Sequence, residues 1–122
     1  MRNAVHIDKD LVAASATTLV LGILAERESY GYAILKRIGD LSGGRLSWND
    51  GMLYPLLHRL ERGGQVSSSW QVAESGRRRK LYCITAAGRT ALAERRSQWQ
   101  VVSEALDRIW DGFGTDPVLG GA

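Results

Sequence analysis

Four basic residues in succession, Arg77-Arg78-Arg79-Lys80, form the densest group of positive charge in this sequence of 122 residues. They follow Ala73-Glu74-Ser75-Gly76, a turn-rich segment, so they stand on the returning side of a predicted hairpin tip. Like charges packed this closely repel one another, and a bound polyanion removes the repulsion. The pattern therefore favours a polyanion partner, with a solvated turn that binds nothing as the alternative.

A second group of polar side chains shares one face of a helix predicted between Leu46 and Gly64. The capping-box-like pair Ser47 and Asp50 predicts its start, and Gly63-Gly64 predicts its end. The residues at helical spacing that form the predicted buried stripe are Leu53, Leu56, Leu57 and Leu60. The outer face carries Tyr54, His58, Arg59 and Arg62. Donors and positive charge on one helix face suit a DNA groove, whereas an ordinary solvated face is the alternative.

The charge of the chain is unevenly distributed. Residues 45–96 contain ten Lys or Arg and four Asp or Glu, whereas the remainder contains six basic and nine acidic residues. A basic middle with acidic flanks indicates that a polyanion binds the middle. The length corresponds to one domain, small enough for a partner chain to complete its core.

The side-chain inventory argues against an enzyme. The two histidines, His6 and His58, are far apart in sequence, and no Cys/His cluster has metal-ligand spacing, so we expect no catalytic residue, metal or cofactor. Cys83 is the single cysteine, which excludes an intramolecular disulfide and makes a cytoplasmic location the default. We expect it to be an inert buried thiol rather than a redox sensor. The sequence has no apolar run of membrane-spanning length, and residues 1–8 do not resemble a signal peptide.

Two helices are predicted before the helix that starts near Leu46. A first helix is predicted over residues 8–26, starting at Asp8 or Asp10. Ser29 is the expected N-cap of a second helix, from Tyr30 to about Leu41. Its inner face is predicted to hold Ile34, Leu35, Ile38 and Leu41, and its outer face Lys36, Arg37 and Asp40. The glycine-containing turn at Ser42-Gly43-Gly44 completes a helix-turn-helix pattern, and its slightly long connector points to the winged type.

Beyond Gly64, two strands and a long helix are predicted. Val66 to Val72 and Arg77 to Ile84 read as the strands of a hairpin. A helix follows over residues 85–113 with Thr85 as its N-cap. Its a/d seam recurs in heptads, is interrupted once by the polar Arg95 and is widened by Trp110; its apolar members are Leu92, Trp99, Val102, Leu106, Ile109 and Phe113. A monomer would leave this seam exposed, so we expect a twofold homodimer. Residues 114–122 are predicted to be a flexible, Gly-rich tail.

Several of these segments resemble the PadR family of transcriptional regulators. They are Tyr30-Gly31-Tyr32, Leu41-Ser42-Gly43-Gly44, the Gly51–Gly64 stretch with its Leu-Tyr-Pro sequence, and the Gly76–Gly88 stretch with its Arg-Lys-Leu-Tyr sequence. The resemblance covers roughly residues 11–110. It implies a winged helix-turn-helix homodimer, in most cases a repressor, of the short subgroup with a single C-terminal dimerisation helix. One departure is Trp48, where many relatives have proline, and it concerns the shape of the helix's first turn.

The resemblance and the charge pattern together give a set of expected DNA contacts: Lys36, Arg37, Asn49, Gly51, Tyr54, His58, Arg59, Arg62, Arg77, Arg78 and Lys80. Asn49 could be bidentate to adenine, and Asp50 is the expected helix cap. Gly51 leaves room for a phosphate, and the Tyr54 hydroxyl can donate to one. Strand alternation sends only one of each neighbouring pair of wing residues toward DNA, so Arg79 or Lys80 is available to pair with an acid.

Trp99, midway along the seam, is the expected sensor of an effector. In multidrug-binding PadR-like repressors a tryptophan at this place and its mate flank planar aromatic ligands. The resemblance implies that the pore walls would include Leu11, Ala14, Ser15, Thr18, Val102 and Ser103. The alternative is that Trp99 only fills the dimer interface.

The sequence thus predicts a mainly α-helical fold with a small β-hairpin. The expected parts are a DNA-binding domain over residues 1–85, whose first helix also packs at the dimer interface, a dimerisation helix over 86–113 and a tail over 114–122. The predicted function is a homodimeric, ligand-responsive repressor that binds an inverted-repeat operator. The alternative is an adaptor that binds small molecules or proteins but not DNA.

Overall fold

The computed structural model describes residues 6–113, which form four helices and one three-stranded sheet. The elements are α1 (Lys9–Glu26), β1 (Ser29–Tyr30), α2 (Gly31–Ser42), α3 (Asp50–Arg62), β2 (Val66–Val72), β3 (Arg78–Ile84) and α4 (Ala86–Gly112). The chain divides into two compact units, the first ending at Leu92 and the second beginning at Ala93. The predicted mainly helical fold with a winged hairpin is confirmed. The predicted tail over 114–122 lies outside the described residues.

The core of the first unit is built from the inner faces of the three helices and the sheet. The fully or almost fully buried hydrophobic residues are Val20, Leu21, Ile23, Leu24, Ile34, Ile38, Leu53, Leu56, Leu57, Leu60, Val66 and Tyr82. The leucine stripe of α3 is buried as predicted, because helical spacing alone places those side chains on one face. Leu41 was predicted to face inward but is 51% exposed, since it lies in the last turn of α2, beyond the core.

The sheet has the antiparallel order β1-β3-β2. Strands β2 and β3 form the predicted hairpin, and they run in continuous register from Val66 opposite Ile84 to Val72 opposite Arg78. Strand β1 was not predicted. It has only two residues, and its existence depends on Ser29 pairing with Tyr82, which is far away in sequence.

Two predicted helix starts were wrong. Tyr30, not Ser29, is the N-cap residue of α2, because Ser29 is drawn into the sheet and its hydroxyl donates to the carbonyl of Arg27. Helix α3 begins after Asn49 rather than at Ser47. Leu46 and Trp48 both pack against the core, and this two-residue spacing is that of an extended segment. Asp50, the expected cap, is instead the first helical residue.

The end of α3 and the start of α4 agree with the sequence. Gly64 follows the last turn of α3 with a φ of +77°, a left-handed conformation that favours glycine. Thr85 caps α4 as predicted, since its hydroxyl accepts the amide of Gly88 at 3.0 Å. The same hydroxyl donates to the carbonyl of Gly64 at 2.6 Å. One threonine therefore joins the end of α3 to the beginning of α4. None of the helices within residues 6–113 is both long and apolar enough to cross a bilayer.

Candidate nucleic-acid interface

Helix α3 presents one exposed ridge opposite its buried leucines. The exposed members of this ridge are Gly51, Met52, Pro55, His58, Arg59 and Arg62. Within the described part of the chain, neither Arg59 nor Arg62 forms an ion pair, so both guanidinium charges face solvent. The ridge also includes apolar groups that were not among the expected contacts, Met52 and Pro55. Apolar side chains at such positions can contact thymine methyl groups. The helical spacing of Met52 and Pro55 with His58 could have predicted from the sequence that they share this exposed face.

The N-terminus of the ridge is organised by Asn49. Its Oδ1 accepts the amide of Met52 at 3.0 Å, the bond of an N-cap side chain. A β-carbon on Gly51 would lie 3.2 Å from this same oxygen, so the glycine accommodates the cap. The capping bond takes one lone pair of Oδ1 and leaves the Nδ2 amide as the donor that Asn49 can offer a base. An adenine contact through both ends of the amide would therefore have to share Oδ1 with the cap.

Tyr54 does not stand on the exposed ridge. Its half-buried ring packs against Gly31 at the start of α2, with the phenol oxygen nearest to the glycine. Tyr54 also lines the groove between α3 and the hairpin. The ring therefore lies at the junction of α2 and α3, at the edge of that groove.

The hairpin divides its basic residues between its two faces. Arg78 and Lys80 lie beside Trp70, with the Arg78 guanidinium carbon 4.6 Å and the Lys80 Nζ 5.6 Å from the centroid of that ring. Arg79 alternates to the other face, where its guanidinium lies over the ring of Tyr30 at 4.3 Å. Its Nη1 also donates to the hydroxyl of Tyr32 at 3.4 Å. Arg79 thus projects from the opposite face of β3, although it still borders the groove between α3 and the hairpin, and its partners are two tyrosines rather than an acid.

A groove of about 850 Å³ separates α3 from the hairpin. The residues that line it come from the start of α2, from α3 and from both strands: Tyr30, Gly31, Tyr32, Asp50, Tyr54, His58, Trp70, Ala73, Ser75, Arg77, Arg78, Arg79, Lys80 and Tyr82. One carboxylate, that of Asp50, stands among four basic side chains of the wing. Burial raises the pKa of the Tyr82 phenol, so it stays neutral at the base of the groove. The groove is therefore positively charged and rich in aromatic rings.

Two expected phosphate contacts on α2 have protein partners. Arg37 forms a two-pronged ion pair with Glu26 of α1, through Nε at 2.9 Å and Nη2 at 2.8 Å. The hydrogen bonds from Arg37 lower the pKa of the Glu26 carboxyl, and they raise the pKa of Arg37. This pair engages the guanidinium that was expected to be available for DNA. Lys36 is 3.1 Å from Asp40 in an exposed pair four residues apart on the helix, a contact weak enough to exchange with a phosphate.

Comparisons with known proteins fit this geometry. The profile described as "Transcriptional regulator PadR-like family" matches residues 20–94, which is more than half of the chain. The chain belongs to the PadR family. It is 35% identical over 99 residues to a transcriptional regulator of Mycobacterium tuberculosis, covering 80% of this chain and 89% of that protein.

Solved structures of PadR-family and other regulators share the fold. A transcriptional regulator from Clostridium thermocellum is 27% identical with a TM-score of 0.74, covering 82% of this chain and 97% of its own. A PadR family transcriptional regulator from Eggerthella lenta is 33% identical with a TM-score of 0.67, covering 80% of this chain and 79% of its own. The protein is accordingly a winged helix-turn-helix transcriptional regulator of the PadR family.

The second unit of this PadR-family protein carries the predicted seam. Val102, Leu106, Ile109, Trp110 and Phe113 are all exposed. The rings of Trp110 and Phe113 stack with centroids 6.4 Å apart. Leu92, which was expected in the dimer interface, is partly buried and packs against the core of the first unit. The heptad pattern runs from Leu92 in the first unit into the second unit. Heptad spacing alone therefore does not show which of its residues pack against the core of the first unit.

The residues expected to line an effector pore have mixed surroundings. Leu11 and Ala14 of α1 and Ser103 of α4 are exposed, whereas Ser15, Thr18 and Trp99 are half-buried. The hydroxyl of Ser15 donates to the carbonyl of Leu11 at 2.8 Å. The hydroxyl of Thr18 is shielded from solvent and has no hydrogen-bond partner within residues 6–113. Among those same residues, no three His, Cys, Asp or Glu side chains come together in a way that could hold a metal ion.

Cys83 differs from the expected buried thiol. It is half-buried on β3, and its thiol donates to Oε2 of Glu28 at 3.1 Å. This hydrogen bond, more than burial, raises the pKa of Cys83, because a thiolate would face the carboxylate. A low reactivity of this cysteine follows from its acidic neighbour rather than from deep burial.

Proposed function

We propose that this PadR-family regulator binds duplex DNA by placing α3 in the major groove and the wing over the adjacent backbone. The observation that carries the proposal is the exposed ridge of α3 with His58, Arg59 and Arg62 beside a wing whose Arg78 and Lys80 form no ion pair among residues 6–113. Ridge residues reach base edges, whereas wing cations contact phosphates. Arg77 at the hairpin tip and Lys36 on α2 extend the phosphate contacts. Arg37 is no longer included, because Glu26 holds it.

We propose that the operator is an inverted repeat bound by a homodimer. Each protomer supplies one recognition helix, so the half-sites are expected to lie about one turn of DNA apart, roughly 34–36 Å, or slightly more. The exposed apolar seam of α4 supports dimerisation, because side chains such as Leu106 and Ile109 are removed from water when two copies pair. The bound dimer represses transcription by occupying the promoter.

The DNA proposal is tested by fluorescence anisotropy with a labelled duplex from the region upstream of the protein's own gene. A scrambled duplex of equal length is the matched control. We expect tighter binding of the upstream duplex and a steep loss of affinity with salt. Arg62→Ala should reduce the preference for the upstream duplex. A protein that binds neither duplex in dilute buffer would instead support the adaptor interpretation.

The direction of regulation has its own test. Deleting the gene should raise transcription from the promoter that the protein binds, since a repressor keeps it low. A fall in transcription after deletion would identify an activator. Transcription is best measured from a reporter that carries the same upstream duplex used in the binding experiment.

We propose further that a planar aromatic effector binds between the dimer helices, flanked by Trp99 and its mate. Its surroundings would include Leu11, Ala14, Ser15, Thr18, Val102 and Ser103, and occupation would change the spacing of the recognition helices. Planar aromatic compounds should quench tryptophan emission in the natural protein but much less in Trp99→Ala. Equal titrations of both proteins would remove Trp99 from this role and leave it as an interface residue.

A further inference from the structure

Trp70 is an exposed indole in the middle of strand β2. Its side chain is 56% exposed, although indole rings are normally kept from water in a folded protein. It does not belong to the hairpin tip, since it pairs directly with Lys80 and lies two residues before Val72. The ring stands on the face of the hairpin that borders the groove to α3. An exposed aromatic ring in a positively charged groove suits a partner that carries both anionic groups and an apolar surface.

The ring holds two cations in defined places. The Arg78 guanidinium carbon lies 4.6 Å and the Lys80 Nζ 5.6 Å from the ring centroid, both within the range of cation–π attraction. Neither cation is paired with a carboxylate in the described part of the chain. The indole therefore orients these two charges but does not neutralise them. A carboxylate partner would neutralise them. Their charge remains available to an anion that enters the groove.

The opposite wall of the groove supplies further donors. Tyr54 and His58 of α3 line it, and Asp50 contributes the one carboxylate. A sugar–phosphate strand alternates anionic phosphates with apolar deoxyribose faces. Phosphates match the cations and the phenol hydroxyl, whereas a deoxyribose matches the face of an indole. An acidic peptide would satisfy the cations but would not require the ring.

We infer that Trp70 is a DNA-contacting residue, whose indole packs against deoxyribose while it positions Arg78 and Lys80 for the phosphates on either side. The groove between α3 and the wing thus seats the backbone strand that borders the major groove. This inference rests on the proposed DNA-binding function and adds a residue to it.

Anisotropy titrations of Trp70→Ala and Trp70→Phe test the inference. Trp70→Ala should weaken binding about tenfold on the upstream and the scrambled duplex alike, because backbone contacts carry no sequence information. The slope of log affinity against log salt concentration should also become shallower by about one to two, because Arg78 and Lys80 are no longer positioned by the indole. Trp70→Phe retains an aromatic ring and should restore most of the affinity. Gln71→Ala, one residue along on the other face of the strand, is the matched control and should bind normally.

A second readout reports contact rather than affinity. The protein has four tryptophans, so labelling with 5-fluorotryptophan gives four fluorine resonances, and the one lost in Trp70→Phe belongs to Trp70. Saturating duplex should shift this resonance and shield it from solvent. Thermal unfolding of Trp70→Ala, which removes an exposed side chain, should match that of the natural protein.

The outcomes separate the inference from the proposal beneath it. Normal binding by Trp70→Ala, or a Trp70 resonance that DNA leaves unmoved, overturns the role of Trp70 and leaves the DNA-binding function intact. Failure of the natural protein to bind any duplex overturns both. Tight binding of an acidic peptide in preference to DNA, lost in Trp70→Ala, also overturns the inference, because the groove would then serve a protein partner.

Discussion

The phenol oxygen of Tyr54 occupies the space that a β-carbon on Gly31 would need. The contact joins α3 to the first residue of α2, so the spacing of the two helices depends on a glycine at one end and an aromatic ring at the other. The same residue lines the groove beside the wing. A single contact thus sets the helix packing and places a candidate phosphate donor.

Gly31→Ala should therefore destabilise the protein. The added methyl group overlaps Tyr54, and relief of such overpacking typically costs about 1–3 kcal/mol of unfolding free energy. Gly39→Ala in the same helix is the control, because a β-carbon there meets no atom within 4 Å, and it should stabilise by up to about 1 kcal/mol. Urea unfolding measures both. Equal stability of the two variants would contradict the contact.

Thr85→Val should destabilise by about 1–2 kcal/mol, the usual loss for an N-cap. Its hydroxyl accepts the amide of Gly88 and donates to the carbonyl of Gly64. Thr90→Val removes an exposed hydroxyl that bonds only within its own helix, and it should change stability by less than about 0.5 kcal/mol. Thermal and urea unfolding of the pair should separate the two threonines.

Arg78→Gln should weaken DNA binding and lower the salt slope by about 0.9 for the one lost phosphate contact. Arg37→Gln should leave both quantities unchanged, because Glu26 already engages that guanidinium. The measurement is anisotropy at a series of salt concentrations. A slope that falls equally in both variants would mean that the pair with Glu26 opens on DNA.

Val102→Glu should dissociate the proposed homodimer. Val102 lies on the heptad seam, where a carboxylate would be buried without a partner, and the dimer dissociation constant should rise by at least about a hundredfold. Its neighbour Val101 is 67% exposed but lies off the seam, so Val101→Glu should remain dimeric. Sedimentation equilibrium distinguishes the two. Dissociation by both variants would indicate a broader interface than the seam.

Glu28→Gln should make Cys83 more reactive. The hydrogen bond to Glu28 raises the pKa of the thiol, so the natural protein holds less thiolate at pH 8 than it would with an ordinary pKa. Removing the carboxylate lowers that pKa, and the midpoint of the alkylation rate against pH should move to lower pH. Iodoacetamide kinetics measure it, with Glu74→Gln as the control. Coincident profiles for Glu28→Gln and the natural protein would refute the pairing.

The sequence by itself determined the features that arise within one element or between neighbours in the chain. The leucine stripe of α3, the two strands of the hairpin and the cap at Thr85 all follow from local spacing. The alternation that places Arg79 on the opposite strand face from Arg78 and Lys80 also follows from local spacing. Helical and strand periods fix the directions of these side chains before any tertiary contact forms.

Only the tertiary structure decided which distant groups meet. The pairing of Ser29 with Tyr82 moved the start of α2, and the packing of Leu46 and Trp48 against the core moved the start of α3. Arg37 forms its ion pair with Glu26 of another helix. The pairing of Trp70 with Lys80 across the hairpin places the indole beside Lys80 and Arg78. Periodicity specifies the face on which a side chain lies, but its partner depends on how the elements pack. That packing is set by the whole core and cannot be read from a single segment.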